Sequence, residues 1–118
     1  MPDIRRLSTP FSYALAVCAG EFVFLGLHRG GGNDFTTQFG DTFAHLSDTL
    51  EEVGLTLADL VKVHVWLKYI EDLPEMEQGF RRYFDEDAFP ARMTATTEFI
   101  DADCLLMIEG VAYRGTAT

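Results

Sequence analysis

The chain has 118 residues, of which 47% are hydrophobic, and its formal net charge is −10 at pH 7. This length and hydrophobic fraction predict one domain over residues 1–118, large enough to bury a core of its own. The acidic balance disfavours a nucleic-acid partner, because phosphate binding draws on clustered basic residues and the chain has nine Lys and Arg in all.

The N-terminal region and the cysteines favour a cytoplasmic protein. The apolar run at residues 14–19 is short and is followed by Gly20 and Glu21, so neither a signal peptide nor a transmembrane helix is predicted. Cys18 and Cys104 form no CxxC pair, which favours reduced, structural thiols in a reducing compartment. We therefore expect a cytoplasmic location and no membrane partner.

The first predicted elements are two short strands, residues 13–18 and 22–27, joined as a hairpin by a turn at Gly20 and Glu21. Three successive glycines follow within residues 29–33. No lysine comes after them and neither a GxGxxG nor a Walker pattern is present, so this segment is predicted to be a flexible connector and not a phosphate-binding loop.

A long amphipathic helix is predicted next. Asp34 is a favourable N-cap and Gly54 a favourable end, and apolar residues recur between them at three- or four-residue spacing: Phe35, Phe39, Phe43, Leu46, Leu50 and Val53. Such a stripe is typical of a helix that packs on a sheet.

Residues 60–69 alternate as a strand does. One face carries Val61, Val63, Val65 and Leu67, and the other carries Lys62, His64, Trp66 and Lys68. The aliphatic face is expected to meet the helices, and the mixed face suits a subunit interface. His64 is interpreted either as a catalytic base or, preferably, as an interface or core histidine with a satisfied hydrogen bond.

The remaining elements are a helix at residues 73–84, with Pro74 in its first turn, and two strands at 92–98 and 104–113. The predicted order is β-β-α-β-α-β-β. This is an α+β fold in which both helices connect strands of one sheet. They should therefore pack on a single face and leave the other face free for self-association.

The segment 89–96 places one positive charge, Arg92, at the opening of an otherwise uncharged strand. Pro90 biases its neighbourhood toward extended structure, so Arg92 is expected at the edge or mouth of the sheet. A guanidinium matches a carboxylate or phosphate bidentately and stays charged at physiological pH. Arg92 is interpreted either as one half of an internal salt bridge or as the anchor for an anionic ligand.

Six pieces of the chain, in this order, resemble the Rid (YjgF-like) family of reactive-intermediate deaminases. They are Pro10-Phe11-Ser12-Tyr13-Ala14, Phe22-Val23-Phe24-Leu25-Gly26, Gln38, Asp59-Leu60-Val61-Lys62-Val63, Phe89-Pro90-Ala91-Arg92 and Ile108-Glu109-Gly110-Val111-Ala112. The resemblance covers about residues 10–114, and its most specific element is the Pro-Ala-Arg segment before a strand.

This resemblance implies a chorismate-mutase-like fold, a homotrimer with clefts between adjacent subunits, and a small carboxylate substrate. It implies hydrolysis of 2-enamino or 2-imino acids to 2-keto acids and ammonia, with no metal and no cofactor. Arg92 would hold the substrate carboxylate while a water attacks the C=N carbon. By resemblance the cleft would also contain Phe11, Tyr13, Leu25, Gly26, Met93, Thr94 and Met107.

Several positions depart from the family pattern. Phe11 replaces a tyrosine, Leu25 a serine, Glu77 an asparagine and Thr94 a cysteine. Met107 replaces the glutamate thought to orient the attacking water.

Glu109 and Glu77 are therefore the candidate catalytic acids, although a salt bridge or a polar contact at the trimer interface is the preferred interpretation of Glu109. Three hypotheses stay open: a deaminase, a catalytically weakened relative that binds small carboxylates, and an enzyme for a bulkier, more apolar substrate. A ribonuclease function is disfavoured by the charge.

Overall fold

Six strands and two α-helices form residues 4–115, the part of the chain that this computed structural model describes. In chain order they are β1 (Ile4–Ser8), β2 (Ala14–Ala19), β3 (Phe22–His28), α1 (Phe35–Glu52), β4 (Leu60–Leu67), α2 (Leu73–Tyr83), β5 (Ala91–Thr96) and β6 (Leu106–Tyr113). The predicted α+β class and the order of its seven elements are confirmed. The structure adds β1, which pairs with β2 ahead of the predicted hairpin.

All six strands form one sheet in the order β1-β2-β3-β6-β4-β5. Every pairing is antiparallel except that of β4 with β5, which is parallel. A parallel pair needs a crossover connection, and α2 supplies it. In this strand order β5, which carries Arg92, forms an edge of the sheet.

Both helices cover the same face of the sheet, as the sequence predicted. Asp34 caps α1, since its carboxylate accepts a hydrogen bond from the Thr37 amide at 2.8 Å, and this bond lowers the pKa of Asp34. The apolar stripe of α1 is buried with the inward side chains of the strands, among them Phe43, Leu46, Leu50, Val63, Val65, Leu67 and Ile108. None of the helices within residues 4–115 is long and apolar enough to cross a membrane.

The opposite face of the sheet, here called the open face, carries no helix. Its side chains include Phe22, Phe24, His64, Trp66 and Glu109, all exposed or half-buried. This confirms the two faces predicted for β4 from residue 62 onward.

The alternation in the sequence placed Val61 on the wrong face of β4. Val61 is 44% exposed, whereas Leu60 is 4% exposed and belongs to the core. The cause is an irregularity in the pairing of β4 with β6 between Leu60 and Lys62, which changes the side on which the chain places its first residues.

The glycine segment, predicted to be a flexible connector, is hydrogen-bonded to α1. The Gly31 amide donates to Asp41 Oδ2 at 2.8 Å, and Gly32 O accepts from Gln38 Nε2 at 3.0 Å. Gly30 packs so tightly on α1 that an added Cβ would lie 2.5 Å from the Thr42 nitrogen. Gly30 and Gly32 therefore allow a close approach of the loop to α1, whereas Gly31 has room for a side chain.

Candidate functional site

Arg92 lies on the helix side of β5 with its guanidinium held on three sides. Its Nε donates to Thr94 Oγ1 at 3.1 Å, and its Nη2 donates to Glu77 Oε2 at 2.6 Å. The guanidinium carbon lies 5.0 Å from the centre of the Phe80 ring, a cation–π distance. The side chain of Arg92 is 24% exposed, so it is substantially covered although the strand is at an edge.

A recess of about 290 Å³ surrounds this guanidinium and is called the arginine recess below. It is lined by Glu77, Phe80, Arg81, Phe89, Pro90 and Arg92. The first three belong to α2, where spacings of three and four residues place them on one side of the helix. Phe89 and Pro90 come from the segment that leads into β5, so the α2 crossover builds the recess on its own.

Both interpretations of Arg92 from the sequence are compatible with this geometry. The internal salt bridge exists, since Glu77 contacts Nη2. Arginine offers five N–H donors, however, and Nη1 donates to no group within residues 4–115. Arg92 therefore keeps a donor for an additional anion.

A second recess, also of about 290 Å³, lies on the open face. At its centre His64 Nδ1 and Glu109 Oε2 are 3.0 Å apart, and both side chains are about one third exposed. The residues that line it are Phe24, Leu25, Lys62, His64, Glu109, Gly110 and Val111. His64 thus has a hydrogen-bond partner, Glu109, and both interpretations of this histidine, an interface or core residue and a catalytic base, stay predictions.

Strand register explains why these two meet. Glu109 of β6 and Met93 of β5 are the cross-strand partners of His64, so the three form one row across the open face. Met107 is the partner of Trp66, one row further along the same face. Met93, Met107 and Glu109 are thus on the face opposite to the arginine recess.

Leu25 and Gly26 occupy a third position on β3. Leu25 also borders the recess on the open face, so its predicted contact with substrate stays a prediction, but its side chain is 4% exposed and part of the core. The physical reason is strand alternation, which places Phe24 on the open face and Leu25 on the helix face. Gly26 packs beside β2, where an added Cβ would be 3.2 Å from Leu15 O.

Phe11 and Tyr13 lie apart from both recesses, in the segment between β1 and β2. Their rings are stacked, with centroids 6.1 Å apart and planes 10° from parallel, and both are exposed. Two aromatic rings therefore form a small projecting platform at this position.

The residues predicted as one site are consequently in separate places within one subunit. Arg92, Val63, Gly110 and Leu25 form one cross-strand row, which puts Arg92 and Leu25 three strand spacings apart, about 14 Å. Arg92, Glu77 and Thr94 come together, Leu25 and Glu109 both line the recess on the open face, and Phe11 stacks on Tyr13. Phe80, Arg81 and Phe89 were missed as site residues, although the spacing from Glu77 to Phe80 and Arg81 could have indicated them.

One further histidine is fully buried and polar. His28 Nδ1 is 2.6 Å from Gly26 O, and Nε2 is 2.8 Å from Thr49 Oγ1. Burial lowers the pKa of His28, an effect that the Gly26 carbonyl opposes and the charge of His45 reinforces. Within residues 4–115, no three His, Cys, Asp or Glu side chains lie close enough together to hold a metal ion.

Comparison with known proteins identifies relatives over nearly the whole chain. The protein-family model described as Endoribonuclease L-PSP matches residues 4–114. A RutC family protein of Pyrococcus horikoshii is 30% identical, and the match covers 86% of each chain. A protein of Dermatophagoides farinae named 2-iminobutanoate/2-iminopropanoate deaminase is 25% identical, over 94% of this chain and 97% of that protein.

The fold is also shared with solved structures. A YjgF family member from Neisseria meningitidis superposes with a TM-score of 0.89 at 24% identity, covering 95% of both chains. The predicted resemblance is thereby confirmed. The chain belongs to the YjgF/Rid family, whose family model is described as Endoribonuclease L-PSP.

Proposed function

We propose that this protein hydrolyses reactive 2-imino and 2-enamino acids to 2-keto acids and ammonia. The observation that carries the proposal is the state of Arg92. Thr94, Glu77 and Phe80 hold its guanidinium in place at the sheet edge, and its Nη1 remains available for a substrate carboxylate. The deaminase name of the Dermatophagoides farinae relative supports the same reaction class.

The proposed hydrolysis requires mainly that the protein hold the substrate and the attacking water in position. A water oxygen bonds to the C=N carbon, the π electrons move to nitrogen, and the resulting carbinolamine expels ammonia as its hydroxyl becomes the keto group. Holding the carboxylate on Arg92 fixes the neighbouring C=N carbon, so the attacking water needs only one ordered position. No metal or cofactor is needed for this sequence of steps.

The complete site is proposed to lie between adjacent subunits of a homotrimer. Phe11, Gly26 and Met107 are remote from the arginine recess within one chain, so a neighbouring subunit would have to bring its own copies to Arg92. Two features support self-association: the outer edge of β5 has no strand partner within residues 4–115, and the open face exposes Phe22 and Phe24.

Two acids remain candidates for handling the proton of the attacking water. Glu77 contacts Arg92 directly and belongs to the arginine recess. Glu109 is hydrogen-bonded to His64 on the open face and would reach a substrate only across a subunit boundary. The contact with Arg92 favours Glu77.

The test is hydrolysis of freshly generated 2-iminopropanoate, followed as loss of the imine, with equal concentrations of wild type and variants. Arg92→Ala should abolish the acceleration, and Arg92→Lys should not restore it, because lysine lacks the planar fork. Arg82→Ala is the matched control, since it removes an exposed guanidinium of α2 that does not line the arginine recess. Equal rates for Arg92→Ala and Arg82→Ala would refute the proposal.

A second candidate is a small-carboxylate binding protein without turnover. The thioether of Met107 cannot orient a water as a carboxylate does, and this observation favours the alternative. Arg92-dependent binding of 2-oxobutanoate, together with no acceleration of imine loss, would establish it.

Two other functions remain to be distinguished from the deaminase: an enzyme for a bulkier substrate and a ribonuclease. The aromatic walls formed by Phe80 and Phe89 would suit a bulkier substrate, which a panel of imines derived from larger amino acids would detect. RNA cleavage stays disfavoured by the net charge of −10.

A further inference from the structure

The arginine recess contains a carboxylate, that of Glu77, as well as the Arg92 guanidinium. Each group has one atom that makes no hydrogen bond within residues 4–115. Glu77 Oε2 contacts Arg92 Nη2, whereas Glu77 Oε1 accepts no hydrogen bond from residues 4–115. Arg92 Nη1 is likewise uncommitted. The two charged groups are in contact at 2.6 Å and both residues line the arginine recess, so a ligand there has an uncommitted acceptor and an uncommitted donor within reach.

The surroundings of this pair restrict what can bind there. Phe80 lies under the guanidinium and Phe89 forms a wall, with the Arg81 guanidinium 5.9 Å from its ring centre. Phe80, Phe89 and Pro90 offer no side-chain hydrogen-bonding groups to a ligand. The polar partners that the lining offers to a ligand are therefore Arg92, Glu77 and Arg81, of which Arg92 and Glu77 are in direct contact.

We propose that the arginine recess recognises a zwitterion, namely a carboxylate with a protonated nitrogen on the adjacent carbon. The carboxylate binds Arg92 Nη1 and the protonated nitrogen donates to Glu77 Oε1. For the reaction proposed above, on which this inference builds, the bound species is then the iminium form of a 2-imino acid.

Charge balance explains the selection. A ligand with only a carboxylate would place its negative charge beside Glu77 and would offer no donor to Glu77 Oε1. A 2-iminio carboxylate adds one charge of each sign, so its carboxylate meets Arg92 and its nitrogen meets Glu77, while the Arg81 guanidinium lies beside Phe89 in the same lining. The iminium is also the more electrophilic form, so this selection would favour attack by water.

Matched ligands test the inference without depending on turnover. Racemic 2-aminobutanoate and 2-hydroxybutanoate have the same carbon skeleton and the same tetrahedral centre, and they differ only in an ammonium or a hydroxyl group. Dissociation constants for both are measured by NMR titration or calorimetry at pH 7. Wild type is expected to bind the amino ligand at least about tenfold more tightly, a difference that one charge-assisted hydrogen bond can supply.

Variants assign the preference to its residues. Glu77→Gln should weaken binding of the amino ligand and strengthen that of the hydroxy ligand, so that the preference disappears or inverts. Arg92→Ala should abolish binding of both. Glu86→Gln, which removes an exposed acid from the segment between α2 and β5, is the control and should leave both constants unchanged.

The inference is overturned if wild type binds neither ligand, binds the hydroxy ligand as tightly as the amino ligand, or keeps its preference after Glu77→Gln. Its failure can be separated from failure of the deaminase proposal. Arg92-dependent imine hydrolysis without an ammonium preference overturns this inference alone. A Glu77-dependent preference without hydrolysis overturns the deaminase and leaves the zwitterion site standing.

Discussion

Gly79 sets how closely α2 approaches α1, and substituting it should therefore disturb both stability and the position of Glu77. A Cβ added at Gly79 would lie 2.8 Å from Phe39 Cζ and 3.0 Å from Phe39 Cδ2, closer than carbon atoms pack. The Phe39 ring is buried and cannot turn aside, because four other rings surround it: Phe35, Phe43, Phe80 and Tyr83.

A second helical glycine offers a matched control. At Gly40 in α1 the nearest atom to an added Cβ is Tyr83 Oη at 3.8 Å, an ordinary contact distance. Both glycines are inside helices, so replacement by alanine brings each variant the same gain of about 1 kcal/mol in helix propensity. The difference between the two variants then isolates the cost of overpacking at Gly79, which is about 1–3 kcal/mol.

Urea unfolding followed by circular dichroism, at one protein concentration for all variants, measures this difference. Gly40→Ala should raise the unfolding midpoint slightly, whereas Gly79→Ala should lie below Gly40→Ala by the overpacking cost. Because Glu77 is two residues from Gly79, the same variant should also weaken binding of 2-aminobutanoate. Equal stability of the two variants would refute the reasoning that Gly79 is required for the close approach of the helices.

Three further predictions concern parts of the molecule remote from Arg92. Gln38 is buried and makes hydrogen bonds to Gly32 O, Asp103 O and the Leu105 amide, so Gln38→Leu should cost about 3 kcal/mol of unfolding free energy at about 1 kcal/mol per lost bond. The exposed control Gln78→Leu should change it by less than about 0.5 kcal/mol, and a similar cost for both variants would contradict the account. The lowered pKa of His28 means that the folded state binds fewer protons than the unfolded state, so stability is retained above pH 6.5 and lost as the pH falls below it. His28→Gln should lose less stability than wild type between pH 7 and pH 5 in urea titrations, and an identical loss would argue against this role. Phe24→Lys should convert a species of three times the subunit mass into monomer in analytical ultracentrifugation, whereas an unchanged mass would show that the open face is not the contact surface.

The regular elements could be predicted because their periodicity is local. The apolar stripe of α1 and its cap at Asp34 identify the helix without knowledge of the rest of the chain. β1 gave no such signal, since its sequence IRRLS has no apolar alternation and only its pairing with β2 makes it a strand. The exposure of Val61 was equally hidden, because it depends on how β4 pairs with β6.

The candidate site could be predicted residue by residue but not as an arrangement. Arg92 and Glu77 were both singled out, yet nothing local indicates that residues 15 apart would touch. The contact depends on the parallel pairing of β4 with β5 and on the α2 crossover between them. The same holds for His64 and Glu109, which meet through strand register. The contacts of the glycine loop were also hidden, because its composition gives no sign of the hydrogen bonds that Gln38 and Asp41 make with it.

Two departures from the family pattern, Met107 and Glu77, together change where an acid lies relative to Arg92. The acid expected on β6 is replaced by Met107, on the open face, whereas an acid appears at Glu77, in direct contact with Arg92 of the same subunit. An acid on the open face could reach Arg92 only in an assembled oligomer, but Glu77 is in place before any subunit contact forms. The dissociated Phe24→Lys subunit should therefore keep the ammonium preference in ligand binding. It should lose imine hydrolysis, because hydrolysis would also need the neighbouring subunit to exclude bulk water and order the attacking one. Loss of the binding preference on dissociation would show instead that the neighbouring subunit, and not Glu77 alone, creates it.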